Sequence, residues 1–187
     1  MANKKTVALT DEQYFNLIDT IENGFLDHRP NHRVATALKI EANLGLRIED
    51  ILSLRLNDIV LDGGRYRLDI VEQKTKKERT FTVPIEIVEF LTKYCKDNKI
   101  ANDEIIFPIT ERAVNKHLKF ASEFLEYENI GSHSFRKYFA TSIYKDNDYN
   151  IALVQKLLQH SSPAITQRYI GISTQEVENA LKNHIKL

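Results

Sequence analysis

The chain has a single cysteine, Cys95, in 187 residues. A disulfide framework needs pairs and a thiolate-rich metal site needs several, so both are excluded. A reducing cytoplasm is the expected setting. No apolar run approaches the roughly 20 residues of a membrane span. The opening Met1-Ala2-Asn3-Lys4-Lys5 carries no apolar h-region, so neither secretion nor membrane insertion is expected. There is no internal repeat, no low-complexity tract and no Gly/Ser linker. Net charge is also missing, because 26 basic residues balance 26 acidic ones. DNA-binding domains are often basic overall, so a nucleic-acid partner here requires segregated charge.

Hydrophobic residues make up 42% and charged residues 28%, the proportions of an ordinary globular domain. The length suits one domain with a real core. We read residues 1–187 as that domain, with a core over about 8–172 and a C-terminal helix over 173–187. Thr10-Asp11-Glu12-Gln13 has the pattern of a capping box, with Phe15, Ile18 and Ile21 behind it. A second helix is predicted over Asn31–Leu44, ended by Gly45 in the left-handed conformation. Arg47 then opens a short third helix. The period next changes to that of strands, at Ile59–Leu61, Tyr66–Val71 and Thr80–Val83. Turns are predicted at Asp62-Gly63-Gly64 and at Lys76-Lys77-Glu78. Pro84 opens a helix to about Lys96, and Thr110 starts one to about Tyr127. Ser132 is read as the cap of the next helix. Helices near 150–159, 163–170 and 174–183 follow, the last capped by Ser173-Thr174-Gln175-Glu176. The predicted fold is mainly α with a small antiparallel three-stranded β-sheet.

Four polar groups recur late in the chain. His133 and Arg136, three apart, share one helix face. His160 and Tyr169 are nine apart, with Pro163 between them to open a new helix. Upstream, Lys74, Lys76, Lys77 and Arg79 form a local basic cluster, while acids gather at Asp11-Glu12, Glu126 and Glu128, and Asp146 and Asp148. This reads as a basic face with an acidic back.

His133-x-x-Arg136, then Leu157-x-x-His160-Ser161-Ser162, then Tyr169 resembles the signature of the tyrosine recombinases, the phage integrase family. Gly45-Leu46-Arg47-Ile48-Glu49-Asp50-Ile51-Leu52-Ser53-Leu54 is similar to that family's first-arginine box. Gln73-Lys74-Thr75-Lys76-Lys77-Glu78-Arg79, ending near Val83-Pro84, is similar to its β-hairpin lysine box. Order and spacing agree over roughly residues 8 to 180.

The resemblance implies DNA strand cleavage and rejoining through a 3′-phosphotyrosyl link with a free 5′-hydroxyl. Arg47 and Arg136 are the expected phosphate clamps, since planar guanidinium groups donate two hydrogen bonds each to a charged phosphoryl oxygen. For Arg47 a salt bridge with Asp50 is the plain structural alternative. Tyr169 is the expected nucleophile. His133 is the expected general base or phosphate donor, and His160 a second donor. Lys74 is the expected general acid for the departing 5′-oxygen, with Lys76 and Lys77 as rivals. Asp50 is expected to orient Arg47 rather than react. Lys76, Lys77 and Arg79 are expected on DNA. No cluster at metal-ligand spacing stands beside these residues, so neither metal nor cofactor is expected.

Double-stranded DNA is the expected partner, with a mostly monomeric protein in its absence. The apolar stripe of Val177, Ala180, Leu181 and Ile185 suits self-association on DNA through the C-terminal helix. Family members usually carry an N-terminal domain that clamps the other face of the DNA, and the early start of the first block implies that it is missing. Two alternatives share the chemistry or the partner: relaxation of the type IB topoisomerase kind, and DNA binding without cleavage.

Overall fold

A computed structural model describes residues 6–74, 76–171, 178 and 181–184. The chain divides into two compact units, residues 1–139 and 140–187. In the first, α1 (Asp11–Asn23) starts at the capping box expected from its sequence: the Thr10 hydroxyl accepts from Gln13 N, and the Gln13 side chain accepts from Thr10 N. Helix α2 (His32–Leu44) begins at Asn31, whose side chain accepts from Val34 N. It packs against α1 and against α3 (Ile48–Leu52), and both α1 and α3 pack on α5 (Glu111–Phe124). Leu17, Leu38, Ile51, Phe107, Leu118 and Phe135 are fully buried in the core between them.

The sheet is a three-stranded antiparallel meander of β1 (Ile59–Asp62), β2 (Arg65–Val71) and β3 (Glu78–Val83), with β2 in the centre. Gly63 and Gly64 both have positive φ in the two-residue turn closed by Asp62 and Arg65, the condition of a right-twisted hairpin. The second turn sits earlier than the sequence suggests. Glu72 N donates to Lys77 O at 2.9 Å, so Gln73, Lys74 and Lys76 lie in the loop and Glu78 is already in β3. Lys76, with φ of 55°, supplies the left-handed residue that reverses the chain. Helix α4 (Ile85–Asp97) follows Pro84 as expected.

Helix α6 (Ser132–Asp146) carries His133 and Arg136. Ser132 is its first residue rather than its cap: Gly131 O accepts from Ser134 N at 2.9 Å, and the Ser134 hydroxyl accepts from Gly131 N. The second unit holds α7 (Ile151–Leu158) and α8 (Pro163–Ile170), which pack together. Asn150 caps α7, and Ser162 caps α8 with Pro163 in its first turn. Of the expected C-terminal helix, residues 173–177, 179, 180 and 185–187 lie outside the described residues. Residues 178 and 181–184 are helical and exposed.

Gly45 ends α2 with φ of 60°. A Cβ built there would fall 2.2 Å from the Phe139 ring. Gly45→Ala is expected to destabilise the first unit by roughly 3 kcal/mol, combining left-handed strain with an overpacked core. Urea unfolding would measure it; a loss under about 1 kcal/mol would mean that the ring moves aside freely.

Candidate active site

Arg47 is the N-cap of α3, placed there by the Gly45 turn. Its Nη1 donates to Glu72 Oε2 at 2.6 Å. The sequence suggests Asp50 as its partner, but Asp50 instead accepts from Gln73 N at 2.7 Å through Oδ1. Burial raises the Asp50 pKa and nearby Glu72 adds to that, against the Gln73 bond and the charges of Arg47 and Arg136. Two residues of the Lys74 turn are thus pinned to the α3 segment, one through Glu72 and one through Gln73.

Arg136 is 1% exposed and is the largest fully buried side chain. Its Nη1 donates to Gly45 O at 2.6 Å. This carbonyl ends α2, where helix carbonyls lack intrahelical partners. The guanidinium therefore completes a helix terminus and is fixed by it. Glu41, one turn earlier on α2, is fully buried and faces the charge of Arg136. Burial pushes its pKa well up, Arg136 opposes the rise, and Glu111 adds to it.

His133 reaches solvent, yet burial of much of the ring lowers its pKa, and the charges of Arg136, Lys137, Lys74 and Arg47 lower it further. The imidazole is held neutral at neutral pH, the form that accepts a proton. The second-order rate constant for DNA cleavage reports ionisation in the free enzyme. Cations facing His133 make its protonated form harder to reach. The acid limb of that rate is therefore expected to inflect below the ordinary histidine value of about 6.5. An inflection above it would remove His133 from the base role.

Lys74, Lys76 and Lys77 are exposed. Arg79 departs from the expectation of a DNA-facing side chain. It is 3% exposed, lies 3.6 Å from Glu72 Oε1 and stacks over the Phe81 ring at 4.8 Å. Burial, then the charges of Arg136 and Arg47, pull its pKa down to about 10, against the pull of Glu72 and Asp50.

In the second unit His160 follows the left-handed Gln159 that closes α7. Its Nδ1 pairs with the buried Thr166 hydroxyl at 3.0 Å, and its carbonyl accepts from Gln155 Nε2 at 3.1 Å. The His160 and Tyr169 rings meet edge to face at 5.2 Å. Tyr169 sits in the last turn of α8 with its hydroxyl oxygen shielded from solvent.

The first unit thus brings together Arg47, Asp50, Lys74, His133 and Arg136, and the second brings together His160 and Tyr169. Glu41 and Glu72 are not singled out by the sequence motifs, and Arg79, which is, faces inward instead of toward DNA. No group of three or more potential metal ligands occurs among the described residues. No helix among them is long and apolar enough to cross a membrane.

The first unit is a mainly helical fold that concentrates guanidinium groups beside a histidine and a hairpin lysine, an arrangement chemically suited to an oxyanion. Residues 8–176 match the phage integrase family, and the chain belongs to that family. It is 35% identical over 147 residues to the probable integrase/recombinase YoeC of Bacillus subtilis, across 75% of this chain and 78% of that one. The chain spans 51% of two other curated tyrosine recombinases that it matches. Among solved structures, the XerH site-specific recombinase bound to palindromic difH substrate, a post-cleavage complex, superposes with a TM-score of 0.73 at 21% identity, across 97% of this chain and 54% of that one. The catalytic domain of bacteriophage HP1 integrase superposes at 0.65 with 19% identity, across 96% of both chains.

Proposed function

We propose that this chain is the catalytic part of a site-specific DNA recombinase or integrase, a DNA strand transferase acting on double-stranded DNA. The observation that carries the reading is the buried Arg136, locked to Gly45 O and grouped with Arg47, His133 and Lys74. Two fixed guanidinium groups suit a phosphoryl centre that gains negative charge, and preorganised charge of this kind contributes most to the rate of such reactions. The Tyr169 oxygen attacks the scissile phosphorus, forming a 3′-phosphotyrosyl bond as the bond to the 5′-oxygen breaks. The phenol proton passes to His133, and Lys74 protonates the departing 5′-oxygen. His160 donates to a non-bridging oxygen. The reverse attack by a 5′-hydroxyl restores the backbone without an external energy source.

Exposed Lys76 and Lys77 beside the Lys74 turn suit backbone contacts. Asp50 acts on the turn through Gln73 N as well as on the charge of Arg47. The recombinases and integrases among the relatives favour strand exchange over relaxation. Assembly on DNA through the segment after residue 172 extends the same reading.

A nicked suicide duplex, whose short 5′-hydroxyl strand diffuses away, should trap a covalent adduct on a denaturing gel. The adduct should form undiminished in excess EDTA, because the arginines supply the charge that a metal would. No adduct on a duplex that the protein binds would overturn the proposal, and activity restored by magnesium alone would overturn the metal-free chemistry.

A further inference from the structure

Glu72 has no role assigned above and the inward-facing Arg79 has lost its expected one, yet both occupy the middle of the charged cluster. Both face inward at the loop end of the β2–β3 ladder. Arg79 is paired opposite Ile70, and Glu72 directly follows the last ladder residue, Val71, in β2. Glu72 divides its carboxylate, with Oε2 2.6 Å from Arg47 Nη1 and Oε1 3.6 Å from Arg79 Nη1. It also frames the loop through its backbone, since Glu72 O accepts from Lys76 N at 2.9 Å and Glu72 N donates to Lys77 O. Lys74 sits inside that loop.

We propose that Glu72 and Arg79 are a positioning pair for strand cleavage, with Glu72 tying the guanidinium of Arg47 to the loop that presents Lys74, and Arg79 holding Glu72 in place from behind. The inference rests on the function proposed above. A guanidinium that is 3% exposed and turned inward cannot lie along a DNA backbone. Its neighbours Arg47 and Arg136 repel it, and it stays charged at neutral pH with a pKa of about 10. Its position is therefore explained by Glu72, whose two neighbouring cations it completes. The carboxylate orients Arg47 through a direct hydrogen bond and holds Arg79 by charge at 3.6 Å. The device couples two tasks, charge stabilisation at the phosphate and protonation of the leaving oxygen, because both groups hang from one residue.

The test compares Glu72→Gln, Arg79→Lys and Arg79→Met with the unaltered protein in single-turnover cleavage at saturating DNA. Two duplexes are used, one with the ordinary 5′-oxygen and one with a 5′-bridging phosphorothiolate, whose sulfur leaves without a proton. Circular dichroism confirms the fold of each variant. Glu72→Gln is expected to slow the oxygen substrate about 100-fold and the sulfur substrate less than about tenfold, the difference being the misplaced general acid. Arg79→Met should show the same asymmetry, and Arg79→Lys should recover most of it by restoring charge behind Glu72. DNA affinity should stay within about threefold for all three, with an unchanged salt slope.

Equal losses on both duplexes, or rates like those of the unaltered protein, would overturn the proposal. So would failure of all three variants to fold, which would make the pair a core element only. A weaker Kd with a salt slope reduced by about one in Arg79→Met would make Arg79 a phosphate contact instead. If the unaltered protein forms no adduct, the fault lies with the proposed function and not with this pair.

Discussion

Tyr169→Phe is expected to abolish the covalent adduct while leaving DNA affinity within about threefold, because only the oxygen proposed to react is removed. The ring keeps its edge-to-face contact with His160 at 5.2 Å and its place in the last turn of α8. The fold of the second unit should therefore survive, and the far-ultraviolet spectrum should not change. Adduct yield on the nicked duplex is the measurement. An adduct persisting in the Phe variant would show that another phenol attacks, and Tyr138 and Tyr144 on α6 are the first to map by proteolysis of the labelled product.

Arg136→Lys is expected to slow cleavage about 100- to 1,000-fold, equivalent to roughly 3–4 kcal/mol of lost transition-state stabilisation. Charge is conserved in this exchange, so a simple electrostatic account foresees little effect. The geometry argues otherwise. The guanidinium holds Gly45 O through Nη1 at 2.6 Å, and its N–H donors lie in one fixed plane. A lysine ammonium is a compact point charge on a flexible stem and cannot serve two fixed acceptors in this planar manner. Its positive charge still faces Glu41, so the loss should appear in the cleavage rate constant more than in unfolding free energy. Cleavage within about tenfold of the unaltered rate would mean that charge alone suffices at this position.

The fold is largely legible in the sequence because its signals are local. Thr10 with Gln13, Gly45, Pro84 and Pro163 each act over a few residues through a cap, a turn or a fixed φ, and each starts or stops an element where expected. The second hairpin turn is displaced because three adjacent residues, Lys76, Lys77 and Glu78, look alike in polarity. Strand pairing across the sheet, a longer-range property, decides which of them lie in the ladder.

Motif spacing points to the residues proposed to react, whereas it does not point to those that support them. Glu72 and Arg79 do carry a weaker signal. Leu68, Ile70 and Glu72 alternate on one face of β2 and its extension, as Arg79, Phe81 and Val83 do on β3, and a charge at an inward position demands a partner. Glu41 shows the same sign on α2, three residues after Leu38 and seven after Val34, both buried. What periodicity cannot give is the identity of the partner. Arg47 turns from the nearby Asp50 to Glu72, 25 residues away, because burial and the sheet bring that carboxylate closer.

The hydrogen bond from Arg136 to Gly45 O spans 91 residues of chain. Contacts of such long separation close late, since loop-closure entropy must be overcome before they form. A ribosome releases this chain from its N-terminus, so the carbonyl exists long before the guanidinium that will occupy it. Until α6 has emerged and docked, an unfinished chain has its early hairpin and first arginine but no second clamp. The bond that fixes Arg136 therefore forms only after α6 has been made.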